Sequence, residues 1–166
     1  DWKITLIDTG ENTLTGGRIL RIKDYVGDTF MLTYGDGLAN INIDHLIDFH
    51  KKNNKDATVT VVQPQGRFGV VDINSENLIT QFSEKLKGDG SWINGGFFVL
   101  NKKIFSYLKN DFTIWEKEPL EHLANTKQLI GFKHSGFWYP MDTLRDKIFL
   151  ENLWKDNKAP WKIWND

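Results

Sequence analysis

The feature that most constrains this chain is a strand–helix–strand succession between residues 30 and 62. It is interrupted once, by a carboxylate held between two glycines. Phe30-Met31-Leu32-Thr33-Tyr34 is an apolar run closed by Gly35-Asp36-Gly37. Asn40 or Asn42 can cap a helix carrying Ile43, Leu46, Ile47 and Phe49, which fades into Lys51-Lys52-Asn53-Asn54-Lys55. Ala57-Thr58-Val59-Thr60-Val61-Val62 then reads as a strongly β-branched strand. Strand, helix, strand in this order is the unit of a parallel sheet, so the expected class is α/β. In open α/β sheets ligands gather at the carboxyl ends of the strands. Asp36 falls at such an end, and Gly35 and Gly37 let a ligand approach the backbone without meeting a Cβ. An Asp there can reach a hard cation, although Gly-Asp-Gly is also ordinary turn chemistry.

The rest of the chain reads as additions to that unit. Residues 2–8 alternate apolar and polar before Asp8-Thr9-Gly10, which predicts a strand already under way at the first residues. Ile19, Leu20, Ile22 and Val26 suit a short helix after Thr15-Gly16-Gly17-Arg18. Segments 68–73, 78–82 and 92–100 read as strands, the first two joined as a hairpin through a turn at Asn74 to Asn77. Helical spacing returns over 113–127, with Trp115, Leu120 and Leu123 on one face. Phe132 and Phe137-Trp138 read as short strands. Asp142-Thr143 starts a last helix with Leu144, Ile148, Phe149 and Leu153 on its apolar face.

Composition excludes several classes. The chain has 166 residues, which suits one domain of 1–166, and its net charge of −1 with no basic run gives no electrostatic case for nucleic acid. No apolar stretch approaches the roughly 20 residues that cross a bilayer, so no membrane partner is expected. With no leader read at the start, a cytoplasmic setting is the expectation. Cysteine is absent, which excludes disulfides and thiolate metal sites. The seven Trp and eleven Phe are many for this size and predict a thick aromatic core plus a subunit contact, hence a homo-oligomer. His45, His50, His122 and His134 have no metal-site spacing, and no nucleophile-elbow turn supports a Ser-His-Asp arrangement.

Several local patterns carry chemistry, each with two readings. Thr15-Gly16-Gly17-Arg18 could offer backbone N–H groups and a guanidinium fork to phosphate, or form a plain loop. Glu84-Lys85 could hold sugar hydroxyls and a phosphate, or be an exposed ion pair leaving a strand. Asn94-Gly95-Gly96 marks either a ligand brought close to the backbone or a β-bulge. Asp142 could cap the last helix, or Thr143 could take the cap and leave Asp142 to meet a metal. Gly66-Arg67-Phe68-Gly69 is read as a loop shaping a pocket floor.

Taken in order with Lys87-Gly88-Asp89-Gly90, Gly136-Phe137-Trp138, Pro140-Met141-Asp142-Thr143-Leu144-Arg145-Asp146-Lys147 and Ala159-Pro160-Trp161-Lys162, these patterns resemble the sugar-1-phosphate nucleotidylyltransferases. The likeness spans essentially the whole chain and is greatest to the glucose-1-phosphate cytidylyltransferase branch. It implies the Rossmann-like mixed sheet of a nucleotide-diphospho-sugar transferase. It also implies a Mg²⁺-dependent enzyme that makes CDP-glucose and pyrophosphate from CTP and α-D-glucose 1-phosphate, toward surface polysaccharides. The resemblance places Asp36 and Asp142 on the metal, Lys85 on the sugar phosphate and Glu84 on the sugar hydroxyls. Gly95, with Asn94 beside it, falls at a backbone sugar contact, and Thr15, Arg18 and Gly35 on the substrate side. Asp36, Lys85 and Arg18 are the expected catalytic set.

Departures from the family are equally specific. Its opening strand and Gly-x-Gly-Thr-Arg phosphate loop have no counterpart here, and Leu86 stands where Pro is usual after Glu84-Lys85. The chain therefore resembles the later part of such an enzyme. Residues 1–65 would be the remaining nucleotide and metal half, and 66–166 the sugar half with the C-terminal helices. Alone it is expected not to turn over. The competing expectations are a non-catalytic sugar-phosphate-binding remnant or subunit partner, and a relative using UTP or dTTP.

Overall fold

A computed structural model describes residues 2–64, 70–83 and 91–164, with backbone only for 70–72 and for 82–83. The elements run α1 (Thr15–Arg21), β1 (Thr29–Thr33), β2 (Gly37–Ala39), α2 (Ile43–Asn53), β3 (Ala57–Val62), β4 (Val70–Ile73), β5 (Ile79–Ser83), β6 (Ile93–Asn101), α3 (Glu118–Asn125), β7 (Leu129–His134), β8 (Trp138–Pro140) and α4 (Leu144–Lys155). Four strands form one sheet in the order β1-β6-β3-β7, in which every neighbour is reached by a crossover, and β2-β8 and β4-β5 form two further ladders. This mixed α/β sheet is the class expected from the sequence.

Contacts divide the chain into two compact units that interleave along the sequence. One comprises residues 1–32, 45–59 and 98–131, the other 33–44, 60–97 and 132–166. In the first unit the core gathers Leu46, Leu100, Ile104, Leu123 and Trp115, all fully buried. Phe30 stacks on Phe105 at 5.6 Å and Phe98 meets Trp115 edge-on at 5.8 Å. Such ring pairs add about 0.5–1.5 kcal/mol beyond their area. In the second unit Ile41, Val62 and Leu150 are buried.

Local signals hold where chemistry is local. β3 and the β4–β5 hairpin lie where the pattern predicts, the hairpin being antiparallel with Val70 opposite Ser83. Its turn forms because the Asn74 carboxamide accepts from Glu76 N and Leu78 N while Asn77 adopts φ 64°. α3 is shorter than the 113–127 expected, because Pro119 in its first turn favours a start there, while Trp115 is buried ahead of it.

Two expectations are corrected. Residues 2–8 form no strand: Trp2 is 94% and Leu6 92% exposed, and alternation without a neighbouring strand leaves the ladder bonds unmade. α4 turns a different face inward, burying Asp146 and Leu150 while Leu144 stays 71% exposed. The aromatic surplus is likewise divided, since Trp115 is buried whereas Trp2, Trp92, Trp154 and Trp164 are exposed. Among the described residues no helix is long and apolar enough to cross a membrane.

Candidate active site

Within the second unit, Asp36 lies in the turn between β1 and β2, next to the start of β2 and not at the carboxyl end of β1, which stops at Thr33. β2 pairs antiparallel with β8, Gly37 opposite Pro140, Leu38 opposite Tyr139 and Ala39 opposite Trp138. One more bond extends the ladder, Met141 N donating to the Asp36 carbonyl at 2.8 Å. The next residue is Asp142. A hairpin-like pairing of two distant segments thus brings the two candidate metal aspartates to one end of a short ladder. The cap of α4 is Thr143. Its Oγ1 accepts from Asp146 N at 3.2 Å, and the Asp146 carboxylate accepts from Thr143 N at 2.9 Å. That reciprocal box satisfies two donors at the helix start and gives Asp142 no part in the cap.

Asn94-Gly95-Gly96 sits beside this ladder. A Cβ on Gly95 would stand 3.0 Å from the Thr60 carbonyl, so β6 and β3 come closer here than a side chain would ordinarily leave room for. Gly96 has φ +78°, and a Cβ there would also meet the Tyr34 ring at 2.7 Å. The Asn94 carboxamide accepts from Gly96 N at 2.8 Å and donates to the Tyr34 hydroxyl at 3.2 Å. Trp138 Nε1 donates to the Gly95 carbonyl at 2.8 Å. Close approach of the β3 backbone thus accounts for Gly95, and a positive φ beside the Tyr34 ring for Gly96. A Cβ on Gly35, in contrast, would meet nothing within 4 Å among the described residues, so they leave the backbone next to Asp36 open.

On the same unit, a cavity of about 330 Å³ is lined by the end of β3 (Val62, Gln63, Pro64), by Trp92, by His134 to Tyr139 and by Phe149. That volume lies at the lower end of ligand pockets, which bury apolar rings against a few placed polar groups. His134 Nε2 bonds the Phe137 carbonyl at 3.1 Å and closes the β7–β8 turn. The Lys133 ammonium sits 5.3 Å from the Trp92 ring centroid.

Thr15, Gly16, Gly17 and Arg18 belong to the first unit, where the structure gives each of them contacts. Gly16 N and Gly17 N both donate to the Thr113 carbonyl, at 2.9 and 3.2 Å. A Cβ on Gly17 would lie 2.5 Å from the Asp111 carbonyl oxygen. The glycines thus let α1 seat on the 111–113 backbone, and the two amides that an anion would use are already taken. The Thr15 hydroxyl donates to Glu116 at 2.7 Å and accepts from Trp115 N at 2.9 Å. Arg18 holds the Thr9 hydroxyl at 2.7 Å and the Glu11 carbonyl at 3.2 Å. Arg21, which stands in no motif, makes a two-pronged pair with Asp111 at 2.9 and 2.6 Å. The hydrogen bond from Arg21 holds the Asp111 carboxyl below the usual carboxylate range, and Asp111 in turn raises the guanidinium.

The sequence also gave no sign of His50 as a structural centre. It is buried between the Thr58 hydroxyl at 2.9 Å from Nδ1 and the Asn101 carboxamide oxygen at 3.1 Å from Nε2. Asn101 Nδ2 donates to the Lys55 carbonyl, which leaves its oxygen to face His50 Nε2. Nearby, burial foremost and then the Asp56 charge push the Tyr107 hydroxyl above its ordinary value. Glu84 and Lys85, with Gly66 to Gly69 and Lys87 to Gly90, lie outside the described residues.

A family model described as nucleotidyl transferase matches residues 8–156. A glucose-1-phosphate cytidylyltransferase of Salmonella typhimurium is 53% identical over 98% of this chain and 64% of its own length. A probable glucose-1-phosphate cytidylyltransferase of Bacillus subtilis is 47% identical over the same shares. This chain thus spans just under two thirds of the length of these two relatives. Among solved structures, a putative glucose-1-phosphate thymidylyltransferase from Bacillus anthracis, in complex with a sucrose, superposes with TM-score 0.62. It is 18% identical, covering 95% of this chain and 65% of that one, a likeness of fold alone.

Proposed function

This chain belongs to the nucleotidyl transferase family, and from that membership we propose that the intact protein is a glucose-1-phosphate cytidylyltransferase. It would make CDP-glucose and pyrophosphate from CTP and α-D-glucose 1-phosphate. The observation that carries this reading is the β2–β8 ladder with its Met141-to-Asp36 bond, which places Asp36 and Asp142 at one ladder end. Identity of 53% and 47% to relatives bearing that name supports the choice of nucleotide and sugar.

The donor set suits Mg²⁺. Among the described residues no group of three or more His, Asp or Glu gathers as a protein-made cage. Mg²⁺ prefers one or two carboxylates, its own waters and substrate phosphates. Asp36 and Asp142 would hold it, and when bound it would neutralise phosphate charge. A sugar-phosphate oxygen forms the new bond to the α-phosphorus of CTP as the bond to the β-phosphate oxygen breaks, so pyrophosphate leaves. Such transfer needs alignment and charge balance more than covalent help. Lys85 would hold the sugar phosphate, Glu84 and the Gly95 backbone the sugar hydroxyls, and Asn94 would orient Gly95 through its bond to Gly96 N. Gly35 would leave room for the substrate beside Asp36, and Thr15 and Arg18 would serve the nucleotide side. Residues 1–65 would thus carry nucleotide and metal contacts and 66–166 chiefly sugar contacts. We propose a cytoplasmic homo-oligomer as the working form.

The test is pyrophosphate release by the intact protein with CTP, UTP or dTTP, glucose 1-phosphate and Mg²⁺. CTP is expected to be preferred, and Asp36→Asn or Asp142→Asn to lower kcat at least about 100-fold, the scale of losing one charge-stabilising group. Equal turnover of the three nucleotides would refute the cytidylyl assignment, and full activity in both variants would refute the metal site. Residues 1–166 expressed alone are expected to release no pyrophosphate.

A further inference from the structure

Resting on the proposed function, we infer that Trp138 is a positioning residue that sets where the sugar phosphate sits relative to the two aspartates. The peptide unit between Gly95 and Gly96 has both of its polar groups held by side chains. Its carbonyl accepts from Trp138 Nε1 at 2.8 Å and its N–H donates to the Asn94 carboxamide at 2.8 Å. Gly96 holds a positive φ, and the space a Cβ would need at Gly95 is closed by the Thr60 carbonyl. That peptide therefore has one orientation, and the indole N–H sets one side of it.

The same indole belongs to the aspartate ladder. Trp138 is the rung of β8 opposite Ala39, and its Nε1 would lie 3.9 Å from a Cβ on Gly37, the residue after Asp36. Two residues further along, Met141 N bonds the Asp36 carbonyl. One side chain thus joins the β6 peptide of the proposed sugar contact to the ladder that carries Asp36 and leads to Asp142. Holding that carbonyl in place before a sugar arrives is how a bound geometry is prepared at low entropic cost. Phenylalanine fills much of the same space but donates nothing, so the Gly95 carbonyl would be released to turn toward water.

The experiment compares Trp138→Phe with the wild-type intact protein, and with Leu150→Val as a variant that loosens the buried side of α4 without touching this bond. The expected result for Trp138→Phe is a KM for glucose 1-phosphate raised about tenfold with the KM for CTP within about twofold. That split marks a lost ground-state contact on one substrate only. Leu150→Val is expected to lower the melting temperature with no such split. Unchanged sugar-phosphate KM in Trp138→Phe overturns the inference. So does a parallel change in both KM values and kcat that Leu150→Val reproduces. A wild-type protein that makes no CDP-glucose overturns the functional reading and this inference together, whereas an active wild type with no split overturns the inference alone.

Discussion

Replacing Gly17 by alanine should destabilise the protein, against the ordinary direction of that substitution in a helix. In an exposed helix interior, Gly→Ala gains about 1 kcal/mol. Gly17 is in α1 and buried, and the new methyl would lie 2.5 Å from the Asp111 carbonyl oxygen, 2.6 Å from its Cα and 2.8 Å from its carbonyl carbon. These are backbone atoms with no rotamer to yield, so α1 must move off the 111–113 segment. Overpacking of this kind costs roughly 1–3 kcal/mol. The displacement also stretches the bonds from Leu14 N to Asp111 O and from Gly16 N and Gly17 N to Thr113 O, now 2.8, 2.9 and 3.2 Å. Each is worth about 1 kcal/mol net. Set against the propensity gain, the balance is a loss of roughly 2–4 kcal/mol, with a melting temperature lower by about 4–16 °C for a protein of this size or somewhat larger. The assay is urea denaturation of the variant beside Gly27→Ala, where a Cβ meets, among the described residues, only the Thr29 carbonyl at 3.7 Å and little change is expected. A Gly17→Ala protein as stable as wild type would show that the close approach of α1 to residue 111 is not what the glycine serves.

Three further outcomes follow from the same contacts. His50→Leu should cost about 1–3 kcal/mol in urea denaturation, because the buried Thr58 hydroxyl loses its ring partner and Asn101 one of its donors. Thr143→Ala should cost about 1 kcal/mol in the same measurement by removing the α4 capping box, and should also lower activity because the segment bearing Asp142 frays with it. Asp111 titrates below an ordinary carboxylate when folded, so its pair with Arg21 stabilises above the unfolded pKa and is lost as pH falls through the folded one. Stability measured from about pH 4 downward should therefore fall less steeply in Asp111→Asn than in wild type.

What could be read in the chain was what neighbouring residues decide among themselves. The β-branched run of Ala57–Val62, the Asn74–Asn77 turn and the amphipathic spacing of Ile43–Asn53 each appear as expected, since periodicity and side-chain bonding within a few residues determine them. The aspartates stood out because glycine neighbours and a helix start are local marks. β2 did not, being three residues of Gly37–Ala39 that become a strand only when Trp138–Pro140 arrives. Residues 2–8 failed in the opposite sense, with good alternation and no partner strand.

By itself, then, the amino-acid order determined the α/β class, most element positions, the family and the candidate aspartates, because these depend on short-range pattern and on residue type. The tertiary structure alone decided that Asp36 and Asp142 share a ladder end, that Gly16 and Gly17 seat a helix on a backbone, and that Trp138 grips Gly95. Each of those is a pairing between segments far apart in the chain, and no local spacing encodes which distant atoms a hydrogen bond will find.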